Sequence, residues 1–171
     1  MDLLKLLQAT GQQDQIVNTL ASQFGLQGNQ ANSAVSSIMG ALSGGMQQQV
    51  KTNGIDSIAN VAQDSTLQQL VDQPQNLANS TDAGNNILGQ LLGSKEASRQ
   101  VAANVEQQSG VSADIIKKML PMVAAAAMGS MGKQAQASGG SAGITGMLSS
   151  FLDQDGDGSM IDDVIGMLGK R

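Results

Sequence analysis

Apolar residues recur at spacings of three and four along most of the chain, which is the period of an α-helix. One clear series comprises Val35, Ile38, Met39, Leu42 and Met46. The alternation of apolar and polar residues that is typical of a strand is scarce. The pattern therefore predicts an all-α chain of about nine or ten short helices.

Four serines stand where helices are expected to begin. Ser65 and Ser159 open segments that resemble capping boxes, whereas Ser94 and Ser112 precede helical runs with an acidic residue in the first turn. These serines predict four helix N-termini.

Many of the 21 glycines lie within the predicted helices rather than in one flexible segment. Each interior glycine weakens an isolated helix by about 1 kcal/mol relative to alanine. A missing side chain also lets two helix backbones approach closely, so we expect tight helix packing at these positions. The glycines concerned are Gly40, Gly44, Gly89, Gly129 and Gly166.

Two segments interrupt the helical pattern. Residues 72–82 carry Pro74 and several asparagines, and residues 133–143 are rich in Gln, Ala, Ser and Gly. We predict a loop in each. The second loop divides the chain into a helical body at residues 1–133, a flexible linker at 134–143 and a helix-loop-helix appendage at 144–171 that packs on the body.

The chain carries an internal similarity. Residues 20–48 align with residues 105–133 at an offset of 85. A second, shorter similarity relates residues 85–89 to residues 162–166. The aligned pairs include Val35 with Leu120, Ile38 with Val123, Gly44 with Gly129, and Met46 with Met131. We predict a multihelical bundle built from two diverged copies of a helical unit. The alternative is chance similarity among abundant Gly, Ala, Met and Leu residues.

The composition excludes most catalytic chemistry. The 171 residues include no histidine and no cysteine, so Ser-His and Cys-His pairs and nearly all ligand sets for zinc, copper and haem are absent. A hydrolase that uses carboxylates is the remaining enzymatic alternative. The acidic residues outside the C-terminal segment are spread along predicted helix surfaces, so we predict that the protein is not an enzyme.

The negative charge of the chain is concentrated near its C-terminus. Five of the fourteen acidic residues fall within eleven residues, and without them nine acids balance nine basic residues. Three carboxylates at alternate positions followed by Gly158 resemble the first half of a calcium-binding loop. Ser159 stands where a backbone carbonyl completes such a loop. The predicted ligands are Asp153, Asp155, Asp157, Ser159, Asp162 and Asp163.

The loop departs from a standard EF-hand, because its twelfth position is Val164 and only Asp162 and Asp163 are available to close it. We expect a weak to intermediate Ca²⁺ site that fixes the angle between two helices. Mg²⁺ is the less favoured ion, because flexible carboxylates suit the larger cation. The alternative is a solvated turn in which Ser159 caps the final helix without any ion.

Partners are constrained less than chemistry. Helix faces around Met46 and around residues 119–131 either form the core or associate with a protein partner or a second copy of the chain.

The chain has few basic residues and no aromatic platform on which bases could stack, and both features argue against nucleic-acid binding. No apolar run approaches the ~20 residues that span a bilayer, and no signal peptide is recognisable, so a cytoplasmic location is expected.

Several segments resemble one bacterial family. Residues 84–95 read Gly-Asn-Asn-Ile-Leu-Gly-Gln-Leu-Leu-Gly-Ser-Lys. They are followed by Ser-Gly-Val at residues 109–111 and by Met-Leu-Pro-Met-Val at residues 119–123. The aspartate-rich ending at residues 152–169 is also similar. Together they resemble the bacterial YidB-like proteins, the domain of unknown function number 937. The resemblance implies a multihelical bacterial protein and no assigned activity.

Overall fold

The computed structural model describes residues 13–140, 142–143 and 145–146. Within these residues the chain forms seven α-helices and one 3-10 helix, and no strand. The α-helices are α1 (Gln13–Phe24), α2 (Gly28–Asn53), α3 (Ile55–Ala62), α4 (Ser65–Asp72), α5 (Thr81–Leu92), α6 (Lys95–Ser109) and α7 (Ala113–Ala137). The 3-10 helix is Pro74–Ser80, between α4 and α5. The prediction of an all-helical chain is confirmed for this part.

The helices differ from the predicted short ones in two places. Helix α2 has 26 residues and α7 has 25. Residues 72–82, predicted as a loop, contain the 3-10 helix, in which Pro74 occupies the first turn where a missing N–H costs nothing. The segment 133–143 begins as helix, because α7 continues to Ala137. The division of the chain at residues 134–143 stays a prediction.

Helix starts follow the predicted serines closely. The Ser94 hydroxyl accepts a hydrogen bond from the backbone N–H of Ala97 at 3.1 Å and caps α6. At α4 the cap is Asp64 rather than Ser65, since its carboxylate accepts from the N–H of Thr66 at 2.9 Å. Ser112 occupies the cap position of α7 without a side-chain bond. The prediction at Ser159 lies outside the described residues.

Helix α7 is the centre of the fold. It contacts each of the other described helices, and every residue from 119 to 132 is buried. A helix that is apolar on all sides has to be surrounded in this way. Pro121 lies within α7, eight residues after its start.

Glycine brings three neighbouring backbones against α7. A methyl group at Gly129 would overlap the carbonyl oxygen of Leu67, and one at Gly132 would overlap that of Ala62. On α5, a methyl group at Gly84 would overlap the carbonyl of Pro121. The close packing predicted at Gly129 is therefore confirmed.

The same prediction is wrong for Gly40, Gly44 and Gly89, because a methyl group there would have no atom within 4 Å. Gly166 lies outside the described residues.

Two helical hairpins have matching dimensions. Helix α1 ends at Phe24 and α6 at Ser109, each followed by a glycine with positive φ, Gly25 at 63° and Gly110 at 70°. The second helices begin at Gly28 and Ala113. Both pairs are 85 residues apart. Every buried position of α2 also has a buried counterpart in α7 at that offset.

We expect Gly129→Ala and Gly89→Ala to change stability in opposite directions. The methyl group at position 129 meets the backbone of α4 and lowers the free energy of unfolding by about 1–3 kcal/mol. At position 89 it enters open space, and the better helix former raises that free energy by about 0.5–1 kcal/mol. Urea denaturation of both variants measures the difference, and equal effects would contradict the close approach of α7 and α4.

Candidate functional site

An open groove runs between α2 and α6. Its volume is about 460 Å³, which is within the range of roughly 300–1,000 Å³ that small-ligand sites occupy. Helix α2 lines it with Ser36, Ser37, Gly40 and Ala41, and helix α6 with Val101, Asn104, Val105 and Gln108. All eight lining residues are uncharged, so the groove suits a neutral surface better than an ionic ligand.

A hydrogen bond spans the groove. The hydroxyl of Ser37 donates to Oε1 of Gln108 at 2.9 Å, joining two residues 71 positions apart in the chain. Asn104 lies one helical turn before Gln108 and presents a second amide to the same space. The lining of the groove therefore combines the polar side chains of Ser37, Asn104 and Gln108 with the apolar side chains of Val101 and Val105.

A line of small residues borders the groove on α2. Ser36, Gly40 and Gly44 follow at four-residue intervals, and both glycines are exposed. This line differs from the glycines at α7, where neighbouring backbones occupy the space. At Gly40 and Gly44 no part of the described chain does so.

The described carboxylates stabilise helix ends and ion pairs. Asp64 caps α4, and the carboxylate of Glu106 accepts from the N–H of Ala113 at the start of α7 at 3.1 Å. Asp114 pairs with Lys117 at 3.2 Å, and Asp72 pairs with Lys133 across α4 and α7. All four acidic residues are exposed, as expected for solvated charges on helix surfaces.

The methionine-rich faces belong to the core. Met46, Met119, Met128 and Met131 are each at most 5% exposed. Of the two alternatives from the sequence, burial favours the one in which these faces form the core, and association with a partner or a second copy stays a prediction. The apolar material of α2 and α7 packs within the chain.

The predicted calcium ligands lie outside the described residues. These are Asp153, Asp155, Asp157, Ser159, Asp162 and Asp163. Among residues 13–140, 142–143 and 145–146, no group of three or more acidic side chains is placed to hold a metal ion. The calcium site stays a prediction.

The described helices also bear on the membrane prediction. None of them is both long enough and apolar enough to cross a bilayer. Helix α7 is the most buried, but its apolar run is interrupted by Gly129, Ser130, Gly132 and Lys133.

The part of the chain that the structure describes is all-helical and is built around a buried central helix. The family model described as "Bacterial protein of unknown function (DUF937)" matches residues 6–134. The chain therefore belongs to this bacterial family, as the sequence resemblance predicts. No curated protein and no solved structure matches the chain.

Sequence reasoning did not identify the groove. The available signal was the series Ser36-x-x-x-Gly40-x-x-x-Gly44, which places three small residues on one helix face. Its partner, α6, lies more than fifty residues away in the sequence, and the pairing of α2 with α6 is a tertiary contact.

We expect the Ser37–Gln108 hydrogen bond to contribute modestly to stability because water competes for both side chains. A double-mutant cycle of Ser37→Ala and Gln108→Ala should give a coupling of about 0.5 kcal/mol in urea denaturation. Gln107→Ala, one residue along the same helix, serves as the control for loss of an exposed amide. Zero coupling would show that the bond makes no net contribution to stability.

Proposed function

We propose that the protein is a helical interaction module that acts without catalysing a reaction, and that it associates with a second copy of itself through the α2–α6 groove. The observation that carries this proposal is the pair of exposed glycines, Gly40 and Gly44, beside the groove. The described carboxylates, which serve helix ends and ion pairs, support a non-enzymatic role.

The argument rests on the cost of these glycines. Each lies in the interior of a 26-residue helix, where glycine is less stable than alanine by about 1 kcal/mol. At Gly129 and Gly132 close backbone packing compensates for that cost. At Gly40 and Gly44 no described backbone is close, so we infer that packing against a second polypeptide compensates for the cost of these glycines.

A second copy suits this surface because a line of small residues is complementary to itself. Two helices that both lack side chains along one line can bring their backbones close together. The line from Ser36 to Gly44 covers only about 12 Å of helix. A contact of that length buries far less than the roughly 800 Å² per partner of a stable complex, so the dimer should be weak and concentration-dependent.

Sedimentation equilibrium over a wide concentration range tests this proposal. We expect weak self-association that the double variant Gly40→Leu/Gly44→Leu abolishes, because two leucines fill the space of the partner backbone. Gly89→Leu is the control, since it adds one such leucine at an exposed, open glycine of α5. The lining is neutral, so salt should change the dimerisation constant little.

A monomer at all concentrations would overturn the proposal. Equal loss of association in Gly89→Leu would do the same, because the contact would then not lie at the groove.

We also propose that the two helical hairpins, α1–α2 and α6–α7, are diverged copies of one unit. The equal offset of their helix ends and of their buried positions supports this. The second copy would have become the central helix when α4 and α5 packed around it, which explains why α7 buries more residues than α2.

A second candidate function is calcium binding at the C-terminal aspartates. Five carboxylates within eleven residues repel one another unless a cation or protons intervene, and this repulsion favours a bound ion. Ca²⁺ would hold the segments before and after the loop at a set angle and couple local folding to binding.

We expect calorimetric titration of Ca²⁺ into chelator-treated protein to show one site with a Kd of about 10⁻⁵–10⁻³ M. Saturating Ca²⁺ should raise the melting temperature, because an ion that binds only the folded state stabilises it. Asp155→Ala should remove both effects, whereas Asp56→Ala, which removes an exposed acid on α3, should leave them unchanged. Unchanged affinity and melting in Asp155→Ala would contradict the site.

A further inference from the structure

The junction between α2 and α3 carries an unusual dipeptide. Asn53 is the last residue of α2, and Gly54 follows it with φ of 81°. This is the only Asn-Gly step in the chain, although the chain has ten asparagines. An asparagine followed by glycine is the sequence most prone to spontaneous loss of its side-chain amide, because glycine has no Cβ to obstruct its own nitrogen.

The surroundings of this step expose it to water. Residues 51–54 are all exposed. Val50, 7% exposed, is the last buried residue of α2, and the next buried residue along the chain is Ile58. No residue between Val50 and Ile55, which packs against the core, is buried. The end of α2 beyond Val50 is therefore expected to open locally at low cost in free energy.

The helix itself restrains the reaction. The backbone N–H of Gly54 donates to the carbonyl of Val50 at 3.0 Å, and the side-chain amide of Asn53 donates to Oε1 of Gln49. For the Gly54 nitrogen to reach Cγ of Asn53, the bond to Val50 has to break and ψ of Asn53 has to leave the helical region.

We propose that Asn53 is a deamidation site whose rate is controlled by opening of the last turn of α2. The Gly54 nitrogen loses its proton and attacks Cγ of Asn53. The bond from Cγ to the side-chain nitrogen then breaks, and ammonia leaves with that proton. The resulting succinimide reacts with water at either carbonyl, which gives aspartate or isoaspartate at position 53.

The product changes the charge at this junction. A carboxylate at the C-terminus of a helix faces the negative end of the helix dipole. Asp56, in the first turn of α3, lies three residues further on and adds a like charge. Isoaspartate in addition lengthens the backbone by one atom between α2 and α3. Both products therefore weaken the end of α2.

To test the proposal, the full chain is incubated at mildly alkaline pH with and without urea. The products at each asparagine are then measured by peptide mapping with mass spectrometry. In the folded chain we expect aspartate and isoaspartate to accumulate several-fold faster at Asn53 than at Asn104, which is followed by a β-branched valine. The reaction should be faster in urea, where the bond to Val50 is absent. No conversion of folded Asn53 while the unfolded chain reacts to completion would overturn the proposal, and equal rates in both states would overturn the control by the helix.

Two variants separate the chemistry from the opening. Gly54→Ala should slow the reaction in both states, because its Cβ obstructs the nitrogen. Alanine is strained at this positive φ, so folding of that variant is checked by circular dichroism. Thr52→Gly should accelerate only the folded chain, because it weakens the terminal turn and removes the bond from the Thr52 hydroxyl to the carbonyl of Gln48. An unchanged rate in folded Thr52→Gly would contradict the role of helix opening.

A third variant measures the consequence. Asn53→Asp should lower the melting temperature by about 1–3 °C, an effect that salt reduces. Asn53→Ser, which removes the amide without adding charge, is its control. Equal melting of the two variants would show that the added charge does not weaken the junction.

Discussion

The structure depends on the close approach of neighbouring backbones to the central helix α7. Gly129 and Gly132 remove side chains from α7 where the carbonyls of Leu67 and Ala62 meet it, and Gly84 does the same on α5 opposite Pro121. These contacts let short helices reach a long one that is buried on all sides. Dispersion between close surfaces accumulates over many atoms, so a core of leucine, isoleucine, valine, alanine and methionine can be stable with only two phenylalanines in the chain.

Glycines on the two long helices have two kinds of surroundings, and Gly45 on α2 approaches the carbonyl of Leu91 as the glycines of α7 approach their neighbours. On α7, glycine lies under a neighbouring backbone, whereas Gly40 and Gly44 on α2 face open space beside a neutral groove. If a second chain covers Gly40 and Gly44, all of these glycines follow one packing rule, applied within the chain at α7 and Gly45 and between chains at Gly40 and Gly44. The proposed ancestry of the two hairpins fits this view, because the second helix of each copy would then accept close neighbours along its length.

Charge has a minor role in holding the described fold together. Asp64 and Glu106 accept hydrogen bonds at helix starts, and the ion pair of Lys133 with Asp72, which joins α7 to α4, is partly exposed and screened by solvent. Charge therefore matters most at places without packing to compensate for it. The proposed cation site rests on the clustering of the C-terminal aspartates in the sequence, and the proposed deamidation would add a carboxylate at the exposed end of α2.

The amino-acid sequence by itself determined the helical class, the starts of α4, α6 and α7, and the lack of imidazole and thiol chemistry. These properties are local or compositional: the apolar period is read within a few turns, and a cap such as Ser94 acts within three residues. Tertiary structure alone decided which glycines are covered, that the methionine faces form the core, and that α2 and α6 enclose a groove. Gly40 and Gly129 have similar sequence surroundings, and only the chain that packs beside Gly129 distinguishes them.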